Sequence, residues 1–284
     1  MAMKQSVLIT GATSGIGRVT ALRLAACGFR VFASGRRAKA LLQLGAESGG
    51  AIEGVPMDVT QQASVEEARG DVARRTDGHG VDAVVNNAGY GQGGPLELVT
   101  DEELRAQYET NVFGLMRVTR AFVGQMRQRR QGRIVNVGSV AGNIALPFLG
   151  AYASTKHALE GISDALRLEL RPFGVHVILV KPGAIHTEFG ETEKEGLRKY
   201  AGPRSPYASL LGPFMRWHAT FHPSAPGPEH VARAIERALT DRWPRDRYHA
   251  PYRNAWLMRM RTMLPTRLTD AIIARASGVG SFGA

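Results

Sequence analysis

Residues Ser6 to Thr10 (S-V-L-I-T) form a short apolar run that stops at a glycine-studded turn, G-A-T-S-G-I-G, from Gly11 to Gly17. The turn passes directly into R-V-T-A-L-R-L-A-A-C, whose apolar residues recur at helical spacing. A short apolar run bounded by turn residues suits a strand buried on both faces, the kind found in parallel sheets. Strand, glycine turn and helix in succession thus point to an open α/β architecture. Glycine permits positive φ and a close approach of backbone to ligand. The free N–H groups at a helix start favour a phosphate. The spacing here is G-x-x-x-G-x-G rather than the commoner dinucleotide pattern G-x-G-x-x-G. It is compatible with a phosphate cradle and with a plain βα turn.

The alternation continues along the chain. Arg30 to Ser34 reads as a second strand, followed by Gly35, Arg36 and Arg37. In dinucleotide-binding sheets an acid near the end of the second strand accepts hydrogen bonds from the adenosine ribose. Gly35 stands about where that acid would be. Guanidinium groups suit a 2′-phosphate that a carboxylate would repel, which favours NADP over NAD. Two ordinary surface cations at a helix start are the other reading. Ile52 to Met57 reads as strand three, closed by Asp58 and Val59. Asp58 either accepts from an adenine amino group or caps the helix beginning near Gln61. Val81 to Val85 reads as strand four and ends in Asn86-Asn87-Ala88-Gly89, which suits a ligand crevice or a simple turn.

Thr100 and Glu103 predict a capping box for a long helix over Asp101–Arg129. Asn111 lies in its middle, either exposed or turned inward to hold a water. Gly132 to Val137 is strand five and delivers Gly138 and Ser139. A helix over Ala151–Arg171 follows, then strand six over His176–Val180 and the segment Lys181-Pro182-Gly183-Ala184-Ile185-His186-Thr187. Six strands alternating with helices predict a doubly wound parallel sheet with helices on both faces and right-handed crossovers. Arg247 to Ala250 is a candidate seventh strand. From Glu188 to Pro228 the periodicity weakens, so an insertion partly covering the crevice is expected there. Residues 251–284 read as a C-terminal extension with an amphipathic helix over Ala255–Leu264 and a loose tail from Gly278. No internal repeat or low-complexity linker divides the chain, so residues 1–284 are expected to form a single domain.

The stretch from Gly138 to Lys156 carries the chemistry. Ser139 places a hydroxyl just past a buried strand, and Tyr152 and Lys156 stand four residues apart, on one helix face. A cation near a phenol favours the phenolate, which makes the pair a candidate acid/base for an alcohol oxygen. A half-buried tyrosine beside a solvated lysine is the plainer alternative.

Composition bounds the partners. The formal net charge is +11, but the arginines are dispersed and acids are interleaved through most of the chain. A solvated basic surface is expected, with a cofactor phosphate taking some of the charge, rather than a nucleic-acid groove. The single cysteine, Cys27, excludes an internal disulfide, suits a reducing compartment and reads as a small core residue. The N-terminus enters a strand directly without the apolar region of a signal peptide, and no run approaches a membrane span. A cytoplasmic location is expected. The histidines His176, His186, His218 and His222 are too scattered for a metal site.

In their order, these motifs resemble the short-chain dehydrogenase/reductase family, classical type, closely over residues 5–190. T-G-A-T-S-G-I-G from Thr10 is similar to its cofactor turn, N-N-A-G from Asn86 to its strand-four motif, and P-G at 182–183 to its nicotinamide-side loop. Asn111, Ser139, Tyr152 and Lys156 match its catalytic tetrad. The segment from Gly138 through Gly161, with P-G-A-I-H-T-E-F downstream, resembles members acting on steroids and retinoids.

The resemblance implies a Rossmann-type fold and an NADP(H)-dependent interconversion of a ketone or aldehyde and an alcohol on a lipophilic substrate. Ser139 would orient the substrate oxygen, and Tyr152 would exchange the proton. Lys156 would bind the nicotinamide ribose and lower the tyrosine pKa, and Asn111 would hold a relay water. Cofactor contacts would come from Gly11, Thr13, Ser14, Gly15, Ile16 and Gly17 at the pyrophosphate side, with Arg36 and Arg37 at the 2′-phosphate. Asp58 and Val59 would lie at the adenine; Asn87, Ala88 and Gly89 near the adenosine-side ribose; and Pro182, Gly183, Ile185 and Thr187 by the carboxamide. A homodimer or homotetramer pairing through the two long helices is implied, and membrane contact by the C-terminal helix is not. A 3-oxoacyl or sugar reductase and a non-catalytic NADP-binding sensor are the competing readings. The intact Ser, Tyr and Lys weigh against the sensor.

Overall fold

A computed structural model describes residues 4–220, 225–251 and 264–280. Its centre is a seven-stranded parallel sheet in the order β3-β2-β1-β4-β5-β6-β7. The strands are β1 (Ser6–Ile9), β2 (Arg30–Gly35), β3 (Ile52–Pro56), β4 (Ala83–Asn86), β5 (Gly132–Val137), β6 (Val175–Pro182) and β7 (Arg247–Ala250). The order reverses between β1 and β4, which opens a crevice at the carboxyl ends of the strands, the usual ligand position in such sheets.

Alternate residues of the buried strands feed two cores. Val7, Ile9, Val31, Val85 and Val135 face one layer with Leu24 of α1 (Gly15–Ala26), Leu41 of α2 (Ala38–Glu47) and Ile235 of α9 (Glu229–Thr240). Leu8, Phe32, Val84 and Ile134 face the other with Val72 of α3 (Gln62–Arg75) and Phe122 of α5 (Leu115–Arg129). This period of two explains why the strands read as continuous apolar runs: both faces are covered.

Three differences from the sequence reading matter. First, the helix expected over Asp101–Arg129 is interrupted. The Thr100–Glu103 capping box starts α4 (Asp101–Tyr108), and a π-helical turn over Glu109–Gly114 then precedes α5. Such a turn inserts a residue and re-aims its neighbours, and it recurs at functional sites. Here it buries Asn111.

Second, the weakly periodic 188–228 region contains α7 (Phe189–Lys199) and α8 (Ala208–Ala219). Leu197, Tyr200, Leu211 and Phe214 form a third apolar cluster with Phe148 and Leu149, just before α6 (Gly150–Leu170). α7 docks through small residues: a Cβ on Gly196 would stand 2.6 Å from the Gly93 oxygen, so no larger residue fits that seam.

Third, Cys27 is exposed, its thiol donating to Glu236 Oε1 at 3.2 Å, because it follows the last turn of α1 rather than facing the sheet. The helix expected over Ala255–Leu264 and the end of the tail lie almost wholly outside the described residues; α10 (Thr266–Ser277) falls between them and packs on α8. No helix among the described residues is long and apolar enough to cross a membrane.

Candidate active site

The site lies where β5 ends and α6 begins. Ser139, Tyr152, Lys156 and Asn111 are all buried there, at 8%, 9%, 7% and 2% exposure. The plainer alternative of a solvated lysine is therefore excluded. A chain of buried side chains fixes α6 against the sheet. Asn86 Nδ2 donates to Thr119 Oγ1 and to Asn136 Oδ1, both at 3.0 Å, and Asn136 Nδ2 donates to Ser163 Oγ at 3.0 Å. Satisfied networks of this kind specify one arrangement of the elements they join.

Ser139 Oγ accepts from the Ala141 amide at 3.1 Å. Lys156 Nζ donates to the Val137 carbonyl at 2.9 Å and lies 5.7 Å from the Tyr152 ring centroid. Burial pushes the phenol well above its usual value, the Ser139 hydroxyl opposes the rise, and the Glu193 carboxylate adds to it. Burial also lowers the Lys156 ammonium to about 8. The shift of the phenol is therefore upward, with burial its largest cause, opposite in direction to the lowering by Lys156 that the resemblance implies.

Asn111 is spent on structure. Its Nδ2 donates to the Tyr90 carbonyl at 3.0 Å and Thr155 Oγ1 at 3.1 Å, and its Oδ1 accepts from the Tyr90 amide at 3.1 Å. It ties the loop after β4 to α6. Only the second lone pair of Oδ1 remains for a water.

The glycine turn meets the requirements of a pyrophosphate cradle. Gly11 has φ of +65°, and a Cβ on Gly17 would stand 2.3 Å from the Gly11 oxygen, so turn and helix meet at a distance that only glycine allows. α1 begins at Ser14 with no side-chain cap and no acid in its first turn, which leaves N–H groups and the positive end of the helix for an anion. Thr187 closes the other lip: its Cβ would lie 3.5 Å from a Cβ on Gly15. Gly183 donates its amide to Ala250 at 2.9 Å, Pro182 ends β6, and Ile185 packs into the core.

Other expected cofactor residues serve the frame as well. Asn87 donates its amide to the Thr10 and Gly11 oxygens at 2.9 and 3.2 Å. Thr10, which sequence reasoning passed over, accepts from the Asn87 and Ala88 amides, each at 2.9 Å, and so locks β1 to β4. Gly89 lies against Asn111, where a Cβ would stand 3.0 Å from Oδ1. Arg36 and Arg37 are both exposed beyond β2, but Arg37 Nη2 donates to Thr13 O and Oγ1 at 3.0 and 3.2 Å. Asp58 does not cap α3; its Oδ1 accepts from Thr60 N and Oγ1 at 2.9 and 2.8 Å, and α3 begins at Gln61 with no side-chain cap. Val59 packs on Gly114 of the π-helical turn.

An insertion partly covering the crevice was expected over 188–228, but not the residues by which it meets Tyr152. The Phe189 ring stands edge-on to Tyr152 with centroids 5.4 Å apart, and Glu193, one turn later on α7, is buried beside it. No cluster among the described residues is arranged to hold a metal ion.

Such a sheet, with a glycine turn at its switch point and a buried Ser, Tyr and Lys beside it, is the arrangement of a Rossmann-type oxidoreductase. The model of the short chain dehydrogenase family matches residues 5–198, and the chain belongs to that family. It is 37% identical over 204 residues to a 3-ketodihydrosphingosine reductase of Bacteroides thetaiotaomicron, covering 72% of each chain. It is 37% identical over 276 residues to human 17-beta-hydroxysteroid dehydrogenase type 1, covering 90% of this chain and 80% of that one. Among solved structures, a short-chain dehydrogenase/reductase of Burkholderia phymatum in complex with NAD superposes with a TM-score of 0.79 at 26% identity, covering 92% and 93% of the two chains.

Proposed function

We propose that this chain reduces a lipophilic ketone or aldehyde to its alcohol with NADPH. One observation carries the reading: Ser139, Tyr152 and Lys156 are buried together at the carboxyl ends of the strands. The bound nicotinamide supplies the hydride. Ser139 orients the substrate oxygen, and Tyr152 gives its proton to that oxygen as negative charge develops on it. Lys156 holds the nicotinamide ribose, and its positive charge stabilises the phenolate left behind. Asn111 keeps the Tyr90 loop and α6 in register.

Arg36 and Arg37, with Gly35 in place of an acid, support NADP over NAD. The Phe189 ring against Tyr152 supports a lipophilic substrate. So do the names of the two relatives, a ketodihydrosphingosine reductase and a hydroxysteroid dehydrogenase. Copies of the chain would pair through the long helices, where Phe113 and Leu168 are exposed.

The test is a panel of lipophilic ketones, aldehydes and alcohols followed at the absorbance of the reduced nicotinamide with each cofactor. Consumption of NADPH by a lipophilic ketone, with NADH much poorer, is the expected result. Turnover of no lipophilic carbonyl would overturn the substrate class, and equal use of the two cofactors would overturn the NADP assignment.

A further inference from the structure

Glu193 is a buried titratable group that the proton chemistry above does not use. It lies one turn after Phe189 on α7, so the two side chains share a helix face. Phe189 covers the Tyr152 ring, and the Glu193 charge acts on the same phenol. The residue is only 6% exposed. Its Oε2 borders the Gly91 loop, 3.5 Å from where a Cβ on that glycine would stand. Its Oε1 lies 3.0 Å from His218 Nε2 on α8, yet it accepts no well-directed hydrogen bond. Burial pushes the carboxyl up to about 7, opposed by the neighbouring Lys194.

A clasp between α7 and α8 does not require this arrangement. The two helices already share the apolar cluster of Leu197, Leu211 and Phe214. Where an acid does anchor this region, at Glu103, it accepts a direct bond of 2.7 Å from the Tyr200 hydroxyl. A buried carboxylate with an oxygen short of a donor is costly unless something else supplies the proton or the charge. An ammonium supplies both, with three donors and a full positive charge.

Building on the ketone reduction proposed above, we infer that Glu193, with His218 behind it, reads a protonated amino group on the carbon next to the reacting carbonyl. The substrate class is then the 2-amino ketones and the product class the 2-amino alcohols. The balance of the step is unchanged. The carbonyl carbon gains a hydride as NADPH becomes NADP, the oxygen gains the Tyr152 proton, and the amine is neither oxidised nor transferred. Glu193 binds and orients, and the bond-making groups remain Ser139 and Tyr152.

The test compares 3-ketodihydrosphingosine, a long-chain ketone with an amino group on the neighbouring carbon, with an unbranched ketone of equal chain length lacking it. Both are presented in the same detergent micelles with NADPH. The wild-type protein is expected to favour the amino ketone by about tenfold or more in kcat/KM, carried mainly by KM. Glu193→Gln is expected to bring that ratio to about one, and Glu193→Asp to restore part of it. A second measurement needs no variant: N-acetylation of the amino ketone removes its charge and should abolish the preference in the wild-type protein. A wild-type ratio near one, a ratio that survives Glu193→Gln, or undiminished preference for the acetylated ketone each overturns the inference and leaves ketone reduction standing. Reduction of neither probe, with turnover of a lipophilic ketone of another class, also overturns it. Turnover of no lipophilic carbonyl removes the underlying reading as well.

Discussion

Lys156 Nζ lies 5.7 Å from the centre of the Tyr152 ring but gives its hydrogen bond to the Val137 carbonyl, 2.9 Å away. The ammonium is held on the strand end and not on the phenol oxygen. In the protein by itself the two groups are therefore governed by burial: each is driven toward its neutral form. For a reductase this is the useful ground state of the tyrosine, because a proton donor needs its proton.

The same burial has a consequence for stability. Lys156 is depressed from 10.5 to about 8 in the folded chain. Between those values the unfolded chain binds a proton that the folded chain does not, so stability rises with pH across that window. Below about 8 the buried ammonium exacts its full cost, on the order of 3 kcal/mol. Lys156→Met is expected to raise the melting temperature at pH 7 by several degrees while abolishing turnover, the usual trade between stability and activity. Thermal melts from pH 7 to 10 check this. The variant should lose the Lys156 part of the rise with pH, and an unchanged slope would contradict the assignment.

Arg36 and Arg37 are expected to separate. Arg37 is tied to Thr13 in the glycine turn, whereas Arg36 is exposed with no such tie among the described bonds. Arg36→Ala should weaken NADPH by about tenfold and leave NADH within about twofold, the signature of a lost charge-assisted bond to phosphate. Arg37→Ala should weaken both cofactors, because the glycine turn proposed to cradle the pyrophosphate loses its support. Fluorescence titration of each reduced cofactor decides it; equal losses in Arg36→Ala would remove the 2′-phosphate role.

The roof is expected to depend on a contact between two glycines. In Gly196→Ala the new methyl would stand 2.6 Å from the Gly93 oxygen and 2.9 Å from its nitrogen, so α7 has to lift from the loop after β4. KM for a ketone substrate should rise about tenfold through lost positioning, with NADPH affinity within about twofold. Gly161→Ala, on α6 with nothing within 4 Å of the added methyl, is the control and should change neither. Equal behaviour of the two variants in substrate KM would contradict the docked roof.

The sheet was legible because each of its central strands is buried on both faces and so must be apolar throughout, a pattern that needs no knowledge of distant partners. Arg247–Ala250 and the Thr100–Glu103 capping box fall where local chemistry puts them. Ser139, Tyr152 and Lys156 could be singled out because they are close in sequence, and Asn111 because it completes a motif order; all four are buried in the fold. What was missed depends on contacts between separated segments. A π-helical turn leaves no distinct mark on a 3.6-residue periodicity, so the sequence could not decide whether Asn111 is exposed or turned inward. α7 and α8 carry Gly190, Gly196, Gly212 and Pro213, which break their local signal, and their apolar residues are matched to Phe148 and Leu149 far upstream. Glu193 looks like one more acid in G-E-T-E-K-E-G until His218, 25 positions later, is brought against it.

The proposed reduction depends on the proton carried by Tyr152, and Tyr152→Phe tests it directly. The substitution removes one oxygen from a buried side chain and leaves the turn at Gly11–Gly17 untouched. With a lipophilic ketone that the wild-type protein reduces, NADPH oxidation should fall by at least about a hundredfold, while NADPH binding, read by fluorescence, stays within about twofold. Turnover retained at the wild-type rate would show that the proton comes from elsewhere and would contradict the mechanism.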